Sequence, residues 1–171
     1  MPLEAIVNAQ IRSLMEPSSP QDRQMIEITL HGISAAPQGS GRAMLIGGKA
    51  RFIGTSSNAG GKRLRAYRGA LSNQARQTLI RNGKMQPWAS KHVPLCLEIT
   101  FFFVPPKSMP KKRRGMVVTP DVDKCIRSTL DSLTGILFHD DAQVVSVVAR
   151  KLYASFEGVR VVAEIAKEEA A

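Results

Sequence analysis

At 171 residues, with 43% apolar and 22% charged residues, the chain is long enough to bury a core and has an ordinary globular composition. No stretch approaches the roughly 20 apolar residues of a membrane span, and Met1-Pro2-Leu3-Glu4 does not open a secretory signal, so no membrane is involved and the cytoplasm is the expected compartment. A net charge of +10 points instead to a polyanionic partner such as nucleic acid.

Leu3 to Met15 reads as a short amphipathic helix, and Pro17-Ser18-Ser19-Pro20 as a linker, so residues 1–24 are an N-terminal helical extension. The domain proper, residues 25–171, opens with a strand from Ile26 to Leu30. After a Gly- and Pro-rich stretch, Gly47-Gly48 between two β-favouring runs predicts a hairpin over 44–53. From Leu64 the apolar residues fall three or four apart as far as Leu79, which predicts a helix over 64–82 stopped at Gly83.

Leu95, Leu97, Ile99, Phe101 and Phe103 alternate with other residues, the period of a strand buried mainly on one face, and Pro105-Pro106 ends it. A second helix is predicted from Cys125 to Thr134, with Ile126, Leu130 and Leu133 as its core side and Gly135 as its stop. Strands over 144–153 and 159–165 close the domain. This order predicts an α+β fold, a single mixed β-sheet with helices packed on it. Cys96 and Cys125, in a chain without an export signal, are expected to be reduced.

Charge is distributed unevenly. Lys107, Lys111, Lys112, Arg113 and Arg114 form one run without a compensating acid, and Arg65 and Arg68 belong to a set of cations on the helix predicted over 64–82. Inside this polycation lie four aspartates, Asp121 and Asp123 where the second helix begins, Asp140 and Asp141 just after it ends. Hard cations such as Mg²⁺ are held by a few carboxylates together with water and substrate phosphate. The other use of such residues is structural: Asp commonly caps helices and shapes turns. A helix and a returning strand are expected to bring the two acidic pairs together around a shared cation.

Competing motifs fail. An EF-hand would need a ligand at Cys125 and glycine at Ile126, Gly61-Lys62 and Gly48-Lys49 lack the following Ser or Thr of a phosphate-binding loop, and the cysteines and histidines have no zinc-type spacing.

The run Pro-Asp-Val-Asp-Lys-Cys-Ile-Arg-Ser-Thr-Leu-Asp-Ser-Leu-Thr-Gly at 120–135, followed by Asp-Asp-Ala-Gln-Val-Val at 140–145 and by Lys151, resembles the RusA family of Holliday junction resolvases. Those are small homodimeric, Mg²⁺-dependent endodeoxyribonucleases, many of them encoded by phages and prophages. The resemblance implies catalytic and metal-binding roles for Asp121, Asp123 and Asp141, with Asp140 beside them, Mg²⁺ (or Mn²⁺ in its place) as cofactor without an organic one, and four-way DNA junctions as substrate. Where the family has a catalytic lysine, this chain has Arg127. Arginine keeps the charge but is not equivalent to lysine, so the alternative is a junction-binding protein with weak or no nuclease activity. Position 127 is also one helical turn from Asp123 and Asp131, close enough for a surface ion pair.

Lys124 and Lys151 are assigned to phosphate contact alongside Lys107, Lys111, Lys112, Arg113, Arg114, Arg65 and Arg68. Glu98, on the less apolar face of its strand, ranks below the aspartates as a ligand; His139 is read as incidental, and Trp88 and Tyr67 as core.

Overall fold

The computed structural model describes residues 25–39, 42–53, 59–110 and 115–166. The expected helix and linker before residue 25, and Lys111, Lys112, Arg113 and Arg114, lie outside the described residues.

The central sheet has four strands in the order β1-β6-β4-β5, formed by β1 (Met25–His31), β4 (Leu95–Phe103), β5 (Val144–Tyr153) and β6 (Gly158–Ile165). β4 lies antiparallel to β6 and parallel to β5, and β1 is antiparallel to β6, so the sheet is mixed as expected. A separate hairpin, β2 (Arg42–Ile46) and β3 (Lys49–Ile53), turns at Gly47 and Gly48. Both glycines have positive φ, which two-residue hairpin turns require.

Two helices, α1 (Ala59–Arg81) and α2 (Val122–Leu133), pack on one another, and α1 also packs on β1. The core faces are set by period. Leu95, Leu97, Ile99, Phe101 and Phe103 of β4 are all buried, and so are Tyr67, Leu71, Ala75 and Leu79 of α1, spaced four apart. Parallel strands need a crossover; here the chain leaves β4, passes through α2, and re-enters the sheet as β5.

The core side of α2 differs from the apolar-periodicity expectation. Its buried residues are Cys125, Ser128, Thr129, Ser132 and Leu133, whereas Ile126 and Leu130 are only partly buried against the core. Burying hydroxyls is costly unless each finds a partner, and here each does. Ser128 Oγ donates to Ala36 O at 2.7 Å, Thr129 Oγ1 to Cys125 O at 2.9 Å, and Ser132 Oγ to Ser128 O at 2.6 Å. Thr129 also shares a 2.7 Å hydrogen bond with Tyr67 of α1. Small side chains let the two helices approach closely, and periodicity in apolar residues alone does not register them.

The other sheet face carries charge. Glu27, Arg160, Glu98 and Arg150 run across all four strands, with Arg160 at 2.7 Å from Glu27 and 3.9 Å from Glu98, and Arg150 bonded to Glu98. Glu98 is therefore held by two arginines on the face away from the helices.

Candidate functional site

The first acidic pair sits where α2 begins. Asp121 occupies the N-cap with extended backbone, yet its side chain makes no capping hydrogen bond. The carboxylate instead accepts from Lys124 Nζ at 2.6 Å. This contact, reinforced by the charge of Lys151, holds the Asp121 carboxyl below the usual carboxylate range, and it raises Lys124 in turn. Asp121 and Asp123 are both exposed, so two carboxyl groups face solvent at one helix start.

Lys151, expected as a DNA contact, is turned inward. Its Nζ donates to Val118 O at 2.8 Å and to Pro120 O at 2.7 Å, so the end of β5 holds the backbone that leads into Asp121. Arg68 likewise turns inward, pairing with Asp131 across the helix interface at 3.1 Å. Asp131 is thus taken up by α1, and among the described residues Arg127 makes no hydrogen bond or ion pair, although it was one turn from a potential acid partner. Arg127, Lys107 and Arg65 are exposed.

The second acidic pair is built differently. Asp140 caps the short 3₁₀ turn Asp141–Gln143, accepting from Ala142 N at 2.9 Å, while Gln143 reaches back to the Asp140 backbone to complete a capping box. Gln143 also accepts from His139 N at 2.8 Å and donates to Ser90 O at 2.8 Å and Val93 O at 3.0 Å. Asp140 therefore has the structural use open to it from sequence. Asp141 is exposed and makes no side-chain hydrogen bond among the described residues.

The expected convergence of the two pairs within one chain does not occur. α2 runs away from Asp121, and β5 begins beside Asp141 and returns, so it is Lys151 rather than Asp141 that arrives back at Pro120. In keeping with this, no three His, Cys, Asp or Glu side chains among the described residues gather as a metal cluster.

The matched sequence profile is that of the family described as Endodeoxyribonuclease RusA, over residues 36–165. The chain belongs to the RusA family of endodeoxyribonucleases. The match covers about three quarters of the chain, including both acidic pairs, Arg127, Gln143 and Lys151, and leaves β1 outside. No curated protein matches the chain. RusA enzymes hydrolyse phosphodiester bonds of branched DNA and generally use a divalent metal. The donors present in this RusA chain fit that requirement in part. An ion that keeps water and substrate phosphate in its shell uses one or two protein carboxylates, as Asp121 and Asp123 are in number, and among the described residues they form no closed cage. Gln143, in the Asp-Asp-Ala-Gln run, and Lys151 have structural uses that residue type and spacing alone do not reveal.

Proposed function

We infer that the chain is a Mg²⁺-dependent endonuclease, selective for branched DNA, that resolves four-way junctions by paired nicks. The observation that carries this reading is the RusA match across an exposed Asp121–Asp123 pair whose N-cap carboxylate is not used for capping. Asp121 and Asp123 would hold the cation, with Mn²⁺ able to replace it. Bound there, a divalent ion supplies Lewis-acid polarisation of the phosphate and acidifies a bound water.

The chain's own residues do the rest. Arg127, exposed and without a partner among the described residues, is available to the phosphate oxygens, where a fixed cation stabilises charge that develops in phosphoryl transfer. Lys107 and Arg65, with Lys111, Lys112, Arg113 and Arg114, track the backbone, giving binding that is salt-dependent and largely blind to sequence.

Among the described residues the two acidic pairs do not gather into one metal-binding group within a chain, which favours a homodimer. A two-fold axis can bring Asp140 and Asp141 of one copy to Asp121 and Asp123 of another, and the same axis matches the near two-fold symmetry of a junction. The enzyme would act in the cytoplasm.

Labelled junction, fork, flap and duplex DNAs, with and without Mg²⁺, test the activity. Nicking should favour the junction, require the metal, and vanish in Asp121→Asn and Asp141→Asn while junction binding in Ca²⁺ survives. Mixing those two dead variants tests the dimer. A site shared between copies restores one working centre per mixed dimer, whereas a site confined to one chain restores none. Metal-independent nicking, or nicking that survives Asp121→Asn, would overturn the assignment.

A further inference from the structure

A cavity of about 470 Å³ has Lys91, His92, His139, Asp140, Gln143 and Val145 among its lining, so a carboxylate as well as a cation borders it. It lies between the loop entering β4 and the turn entering β5. Gln143 ties these two segments together, bonded to Ser90 O and Val93 O on one side and to His139 N on the other. The walls are therefore fixed to one another, not merely adjacent. His92 is the one non-glycine residue with positive φ among the described residues, at 67°, a backbone conformation that costs free energy and that clusters at ligand-binding sites.

The lining has a recognisable division of chemistry. Val93, Pro94 and Val145 are apolar, the two imidazoles are planar, and Lys91 is an exposed basic residue. An apolar wall with two imidazole rings and a cation beside it suits a nucleotide, with its base against the wall and rings and its phosphate on the lysine. The volume lies in the range of sites for small organic groups, and it is far larger than a lone phosphate or metal ion needs. Asp141 follows Asp140 directly, so a nucleotide held here sits beside the second acidic pair.

We propose that this cavity receives one unstacked nucleotide of the branched DNA, its base against Val93, Pro94 and Val145 and its phosphate on Lys91. The placement next to the reacting strand rests on the reading of Asp140 and Asp141 given above. The binding itself does not. Extruding a nucleotide costs least where stacking is already broken, so the cavity would help an enzyme select a branch point over linear duplex.

Binding can be tested without cleavage. The full chain, free of metal, is titrated with deoxynucleoside monophosphates and separately with inorganic phosphate, following NMR signals of the His92 and His139 rings and the Val145 methyls. Nucleotides should give saturable shifts at millimolar concentration, and phosphate should bind at least about fivefold more weakly, the lower end of what a stacked base contributes. Lys91→Ala should weaken nucleotide binding about threefold to fivefold, as loss of one exposed charge contact does. Val145 is 63% exposed, so Val145→Trp should fill the mouth without disturbing the fold and should abolish the shifts. The proposal is overturned by an absence of saturable shifts, by phosphate binding as well as the nucleotides, or by shifts that persist unchanged in Val145→Trp. Because no cleavage is read, failure of the nuclease assignment and failure of this site are separately visible.

Discussion

Lys151 Nζ donates to Pro120 O at 2.7 Å, so the end of β5 fixes the residue that precedes Asp121. A second bond, to Val118 O at 2.8 Å, makes the hold two-point. Lys151→Met removes both and should lower the nicking rate on the order of a hundredfold, because small misplacements of reacting groups cost about that much. Junction affinity should change little, since this ammonium is not among the proposed phosphate contacts. Lys151→Arg should restore part of the rate. An affinity loss as large as the rate loss would show that Lys151 acts on DNA directly.

Arg127 has no protein partner among the described residues, so its removal should leave stability unchanged. Arg127→Ala should reduce nicking roughly 10²- to 10³-fold, the usual effect of losing a charge-stabilising donor, with Tm held constant. Arg127→Lys should retain most of the activity. Wild-type rates in Arg127→Ala would remove the residue from the mechanism.

Tyr67 and Thr129 join the two helices through a buried 2.7 Å hydrogen bond. Thr129 keeps its bond to Cys125 O when the phenol is lost, so Tyr67→Phe should cost only about 1 kcal/mol. For a chain of this size that is a Tm decrease of about 2–4 °C. Nicking at lower temperature should be unaffected.

Gly158 lies where β6 meets β1, and a Cβ there would collide with Leu30 O, a backbone atom that cannot swing aside. Gly158→Ala should destabilise by about 3 kcal/mol through overpacking, visible as a large shift in the denaturant midpoint.

Burial pushes the Cys125 thiol up to about 11, against an ordinary value near 9. The folded state thus keeps a proton that the unfolded chain releases, so stability holds below about pH 9 and falls as pH rises towards 11, by up to roughly 2–3 kcal/mol. Comparing the alkaline unfolding of the wild type with that of Cys125→Ala should show part of this slope removed by the substitution. At pH 8 Cys125 should also resist alkylation in the folded protein, while the less buried Cys96 reacts first.

Much of this architecture was legible locally. The alternation of β4, the four-residue spacing of Tyr67, Leu71, Ala75 and Leu79, and Gly47-Gly48 each specify an element through backbone period or φ. The acidic residues and Arg127 were legible as chemistry in the same way, since charge and spacing stand in the chain itself. The buried side of α2 was not, because Ser128, Thr129 and Ser132 look polar until Ala36, Tyr67 and the helix's own carbonyls supply their partners.

The sequence by itself determined the elements, the polycationic character and the identity of the reactive groups, because those depend on residue type and local spacing. Only the tertiary structure decided that Lys151, rather than Asp141, returns to Asp121. That outcome depends on where the strand after α2 begins and on its parallel pairing with β4, a contact between residues some fifty positions apart that no local pattern encodes.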